Sequence, residues 1–271
     1  MNVKTILLWI FSFIFTLVIA YYQRKTGPTY PVSGKAEITG QVVKYKLIRT
    51  YDGADDAEVR IKNTGKDIEG MIRYKRFGVE EDWNTVVMKH DGQDLAGFLP
   101  HQPPAGKIMY DVTLKSGPES VVLTEEPVVI RFKGAVPMWI LIPHILIMFT
   151  AMMMSTRTGL EALFRGEKSY VYAWITLVTL IVGGLILGPV VQKFAFGAYW
   201  TGWPFGQDLT DNKTLVAFIF WAIAVWRLYK NPANRTWPVV AMVVLLLVYL
   251  IPHSMFGSSL DYSSGEVMTG K

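Results

Sequence analysis

Residues 137–156 read PMWILIPHILIMFTAMMMST, twenty positions without an Asp, Glu, Lys or Arg. About 20 predominantly apolar residues in a helix cross the ~30 Å hydrocarbon core of a bilayer. The stretch therefore predicts a membrane-spanning helix. Working outward, the windows 5–22, 169–192, 214–229 and 237–256 are also free of charge or nearly so, with a single Arg227 near the end of the shortest. Trp221, Trp226 and Tyr229 in that window are the amphipathic aromatics that favour headgroup depth. With 51% hydrophobic residues and a mean hydropathy of +0.27, the chain is too apolar for a soluble protein of its length. Five transmembrane helices are expected. The first follows Lys4 and ends on Tyr21 and Tyr22, which read as interfacial anchors, so retention is expected over cleavage after Val18-Ile19-Ala20.

Residues 30–134 have a different character. ITGQVVKYKLIRTY, DAEVRIKN, GMIRYKRF, NTVVMKH, KIMYDVTL and PVVIRFKG alternate apolar and polar residues, and YDGADD, KNTGK, HDGQD, PPAGK and KSGPES punctuate them. Short alternating runs with Gly, Asp and Pro between them predict an all-β sandwich. The run PHQPPAGKIMYDVTL (100–114) resembles the late hairpin of immunoglobulin-like domains of membrane-attached bacterial proteins. The predicted fold is a membrane α-helical bundle of five transmembrane helices with an inserted all-β immunoglobulin-like sandwich. Its parts are an N-terminal anchor (1–29), a β domain (30–134), a four-helix membrane bundle (135–260) and a polar tail (261–271).

Cysteine is absent, which excludes disulfides, thiolate zinc sites, iron–sulfur clusters and CxxCH haem attachment within the chain. The net charge of +5 comes from basic residues that are scattered or flank the spans. It points to anionic lipid and away from nucleic acid. The segment 157–168 carries Arg157, Arg165 and Lys168 against Glu161 and Glu167; the segment closing the fourth span carries Arg227, Lys230 and Arg235 with no acid. The loop 193–213 is balanced by Asp208 and Asp211. The positive-inside rule then puts 157–168 and 227–236 in the cytoplasm, with the β domain and tail in the periplasm of a bacterial inner membrane.

Two spans contain the same Leu-Ile-Pro-His string, at 141–144 and 250–253. An ionisable group in a bilayer is costly and is usually paired or functional. His144 and His253 would lie about 10 Å and about 5 Å below the outer surface at 1.5 Å per residue. Imidazole is a common metal and haem ligand. Each could instead bond a carbonyl freed by its neighbouring proline. Between them, FAFGAYWTGWPFGQDLTDNKTL (194–215) is rich in aromatics. This loop resembles the tryptophan-rich segment of haem-handling cytochrome c assembly membrane proteins. Gly197-x-x-Trp200, Trp203-Pro204 and Asp211-x-x-x-Leu215 carry the likeness; Phe196 stands where that family has its first Trp, and no Trp-Asp-Pro is present.

In that likeness His144 and His253 take the place of the family's flanking histidines; two imidazoles at similar depth on different helices could also ligate one haem b near the outer face from both sides, with Tyr199, Trp200 and Trp203 as the wall. Lys193, Lys213 or Tyr199 would meet the propionates. The function expected is respiratory electron transfer or cytochrome assembly. The alternative is a non-catalytic accessory or assembly subunit whose β domain binds a membrane or periplasmic protein, with the aromatic loop as an interfacial belt. Nucleophile elbow, phosphate-binding Gly-rich loop and HExxH signatures are missing. Asp208 and Asp211 read as helix-capping groups, and Met148 and Met152–Met154 as packing residues.

Overall fold

The computed structural model describes residues 3–252 and 257–268. The chain divides into a helical unit, residues 3–27 and 136–252, and a β unit, Pro28–Ala135 with Ser258–Met268. Four helices are long and apolar enough to cross a membrane: α1 Val3–Thr26, α2 Met138–Leu163, α3 Ser169–Phe196 and α4 Leu209–Lys230. The protein is thus membrane-associated.

The predicted fold class is corrected on two points. The fifth window forms α5, Thr236–Leu250, a helix of 15 residues. That is about 22 Å long, short of the ~30 Å core. Its end coincides with Pro252, which biases the preceding residue away from helical backbone; Ile251 is extended, with φ −75° and ψ 115°. Nor is the β structure an inserted immunoglobulin-like sandwich, because its strands are interleaved with the helices along the chain. β12 Ser259–Leu260, from the end of the segment assigned to the membrane bundle, and β13 Val267–Met268, from the predicted polar tail, follow the last helix and join the β unit.

The helical core is made of Ala151, Met152, Ala173, Leu177, Ala217, Trp221, Ala224, Leu228, Ala241 and Leu245. Small residues let helices approach closely where no water drives them together. A methyl group on Gly159 would run into Met242 of α5. In contrast, Leu7, Ile10, Phe11, Ile14 and Val18 of α1 are exposed, a surface for lipid tails. α3 widens to a π-helix over Leu180–Leu187, where the Gly188 N–H reaches the Gly183 carbonyl. The register shift sits beside Pro189, which has no N–H to offer the preceding turn.

In the β unit, β9 (Lys107–Ser116) is central. It pairs with β5 (Glu69–Arg76) on one side, and with β11 (Val128–Phe132) and β10 (Glu119–Val122) on the other. β6 (Asn84–Val87) and β3 (Thr50–Tyr51) close the edges, β3 in parallel to β11. A three-stranded sheet orders β4 (Ala57–Ile61), β8 (Asp94–Leu99) and β7 (Lys89–Asp91), and β1 (Val32–Ile38) pairs with β2 (Gln41–Leu47). The β1–β2 turn is Thr39-Gly40, both with positive φ, the twist a two-residue hairpin requires. Val59, Ile61, Ile72, Leu95, Leu99, Ile108, Tyr110 and Val112 share one core. The buried Tyr110 hydroxyl donates to the Ile48 carbonyl at 2.8 Å, and burial pushes its ionisation well above the usual range.

Candidate functional site

His144 lies one residue after Pro143 in α2 and faces the π-helical turn of α3. Its Nδ1 is 3.0 Å from the Gly183 carbonyl oxygen. A carbonyl only accepts, so Nδ1 carries a proton, and in the neutral imidazole Nε2 then keeps its lone pair. The same carbonyl accepts the Gly188 N–H. The bond reaches a neighbouring helix, not the carbonyl four residues upstream that Pro143 frees. His253 lies outside the described residues. Among the described residues no three His, Cys, Asp or Glu side chains gather as a metal site.

The loop after α3 is fastened from α4. Asp208 caps that helix, accepting the N–H groups of Thr210 (2.8 Å) and Asp211 (3.2 Å), so its predicted capping role is observed. Asp211, expected to cap as well, points back to the loop and accepts the Thr201 N–H at 2.7 Å. Asn212 accepts the Trp203 N–H at 2.6 Å, and Gln192 donates to the Thr201 hydroxyl at 2.5 Å. A side chain on Gly202 would meet the Asp211 Cβ at 2.5 Å, so the loop backbone lies directly on the helix start.

The proposed cofactor wall is built differently from the expectation. Trp200 is partly buried and donates its indole N–H to the Trp203 carbonyl at 3.1 Å, within the loop. Tyr199 and Trp203 are 59% and 68% exposed, beside Phe205 at 83%. Lys193 donates to the Gly197 carbonyl (2.6 Å), and the buried Lys213 to the Ile251 carbonyl (2.8 Å), two residues before His253. The described residues thus supply one imidazole toward a haem. The groups expected at the propionates are engaged with backbone carbonyls or exposed.

Two features were missed in the sequence. Arg157, expected in a loop, lies inside α2 and is 1% exposed. It pairs with Glu161 at 2.6 Å, and its guanidinium lies 5.3 Å and 5.1 Å from the rings of Trp9 and Tyr172. The spacing Arg157-x-x-x-Glu161 was the available signal, since residues four apart share a helix face. The second feature is Trp83, the sole Trp between residues 28 and 135. Arg73 and Lys75 on β5 each approach its ring centroid at 5.2 Å. Arg73 is anchored by two bonds to the buried Asp111 of β9, at 3.2 and 2.7 Å. Glu81 clasps Arg76 through its backbone N–H (2.6 Å) and its guanidinium (2.6 Å), which fixes the turn leading to Trp83. The C-terminal hairpin backs this region: the Tyr262 hydroxyl accepts the Lys107 N–H at 3.0 Å and lies under Arg76. Alternation alone cannot reveal a cluster whose members are up to 189 residues apart, as Arg73 and Tyr262 are.

No family model matches this chain, and no curated protein or solved structure matches it either.

Proposed function

We propose that this protein is a non-catalytic accessory or assembly subunit of a bacterial inner-membrane complex, and that its β unit binds a periplasmic protein partner. The observation that carries this reading is the cluster at Trp83. Tryptophan, tyrosine and arginine dominate the hot spots of protein interfaces. Here Trp83 lies 5.2 Å from each of two cations, one of them anchored by a buried carboxylate, which limits the side-chain freedom left to lose on binding. In this reading the polar groups of the outer loop hold its shape, and Tyr199, Trp203 and Phe205 sit among lipid headgroups. The N-terminus is cytoplasmic and the β unit periplasmic, and the chain returns to the periplasmic side along α5, whose 15 residues are short for the ~30 Å core. Arg165, Lys168, Arg227, Lys230 and Arg235 against Glu167 in the cytoplasmic turns support that orientation. The test is co-purification of the full chain from native membranes in mild detergent. Trp83→Ala is expected to lose a stoichiometric partner that wild type and Trp203→Phe retain; equal recovery with Trp83→Ala overturns the proposal.

A second reading, haem b binding by His144 and His253, is favoured by one observation. Metal-bound imidazoles donate their other ring N–H to a backbone carbonyl or carboxylate, as His144 does to Gly183. That reading requires a Soret band from the purified protein that disappears in His144→Ala, and a colourless wild type rejects it.

A further inference from the structure

We infer that the α4–α5 turn is a binding site for the headgroup of an anionic phospholipid. From residue 212 to residue 260 the chain has no Asp or Glu, yet Arg227, Lys230 and Arg235 fall within nine positions of one another there. Among the described residues none of these three cations has a carboxylate within ion-pair distance. Three uncompensated cations at one end of a membrane bundle match the phosphate charge of the lipid that surrounds it.

The turn is built to hold them in place. Asn231 accepts the Ala233 N–H at 3.0 Å, and Asn234 accepts the Trp237 N–H at 3.1 Å. Arg235 reaches across to the Ala162 carbonyl at 3.2 Å, which brings the end of α2 alongside. Beside the Arg235 contact, Glu161 is already taken up by Arg157 (2.6 Å) and the Lys168 N–H (3.1 Å), so it does not neutralise the turn.

Aromatic rings set the depth. The Arg227 guanidinium lies 5.9 Å from the rings of both Trp226 and Trp237, and Lys230 lies 5.8 Å from Tyr229. Trp226 and Tyr229 are exposed. Such rings settle at the membrane–water interface, the level of lipid phosphates. Arg227 and Lys230 are therefore the primary phosphate ligands, and Arg235 adds charge while tying the turn to α2.

Each cation near an anionic membrane surface strengthens binding about fivefold, so Arg227 and Lys230 together account for roughly 25-fold. The experiment uses the full chain in neutral detergent, titrated with short-chain phosphatidylglycerol or phosphatidylcholine and read by native mass spectrometry. Wild type is expected to prefer phosphatidylglycerol by at least about tenfold. The double variant Arg227→Gln/Lys230→Gln is expected to bind both lipids alike, while the charge-matched control Lys35→Gln/Lys44→Gln keeps the preference. Because the control removes the same charge from the exposed β1–β2 ribbon, its retention separates a local site from a net-charge effect. Unchanged preference in the double variant overturns the inference. Displacement of the lipid by millimolar inorganic phosphate also overturns it, since the site would then take free anions.

Discussion

Replacing Asp211 with Ala should free the 197–208 loop while leaving the helices assembled. The carboxylate accepts the Thr201 N–H at 2.7 Å from a buried position at the start of α4. A hydrogen bond to a charged group contributes about 1.5–3 kcal/mol, and each 1.4 kcal/mol is a factor of ten. Loss of the bond should therefore speed local opening, and hydrogen exchange of the Thr201 amide, by roughly 10- to 100-fold. Asn212→Ala removes a neutral acceptor from the Trp203 N–H (2.6 Å) and should raise exchange there by at most about tenfold. The assay is hydrogen exchange of the full chain in nanodiscs, with β9 amides as an internal reference. Unchanged protection of Thr201 in Asp211→Ala, or a larger effect from Asn212→Ala, would refute the view that these side chains serve to hold the loop.

Three further outcomes are expected. Arg157→Leu should destabilise the helical unit by about 3–5 kcal/mol, because the buried Glu161 carboxylate loses its only cation in ion-pair distance among the described residues, and adding Glu161→Leu should recover much of the loss in thermal unfolding; a further loss in the double variant would contradict this. Gly159→Ala should cost about 1–3 kcal/mol by overpacking against Met242, whereas Met242→Ala in the same chain should relieve part of it. Arg76 holds the Glu81 carboxyl below its usual ionisation range. A depressed carboxylate stabilises above its unfolded value near pH ~4.3, and that stability disappears as pH falls through the lower folded value. Glu81→Gln should accordingly weaken amide protection in the β unit at pH 7 and lose less on acidification. A pH profile parallel to wild type would count against it.

Much of the architecture is legible in the residues because it rests on local rules. Charge-free runs mark four helices long enough to span, and Asp208 before Leu209 marks a capped helix start. Alternation in Ala57–Ile61 and Lys107–Ser116 marks strands. What is not legible depends on distance. α5 stops at Leu250, where Pro252 biases Ile251 toward extended backbone, a local signal outweighed in the sequence by the apolar run that continues past it. The parallel pairing of Thr50–Tyr51 with Arg131–Phe132, and the return of Ser259–Met268 to the β unit, leave no trace in periodicity. Of the candidate site, the residue types at 192–213 were visible, but their use was not. Whether Asp211 caps a helix or holds a loop is decided by where Thr201 lies.

A partner-binding surface at Trp83 would show in the native mass of the complex extracted from membranes. Wild type should migrate above the mass of the 30.6 kDa chain, and Trp83→Ala should fall to it. Identical migration of the two proteins would contradict the claim.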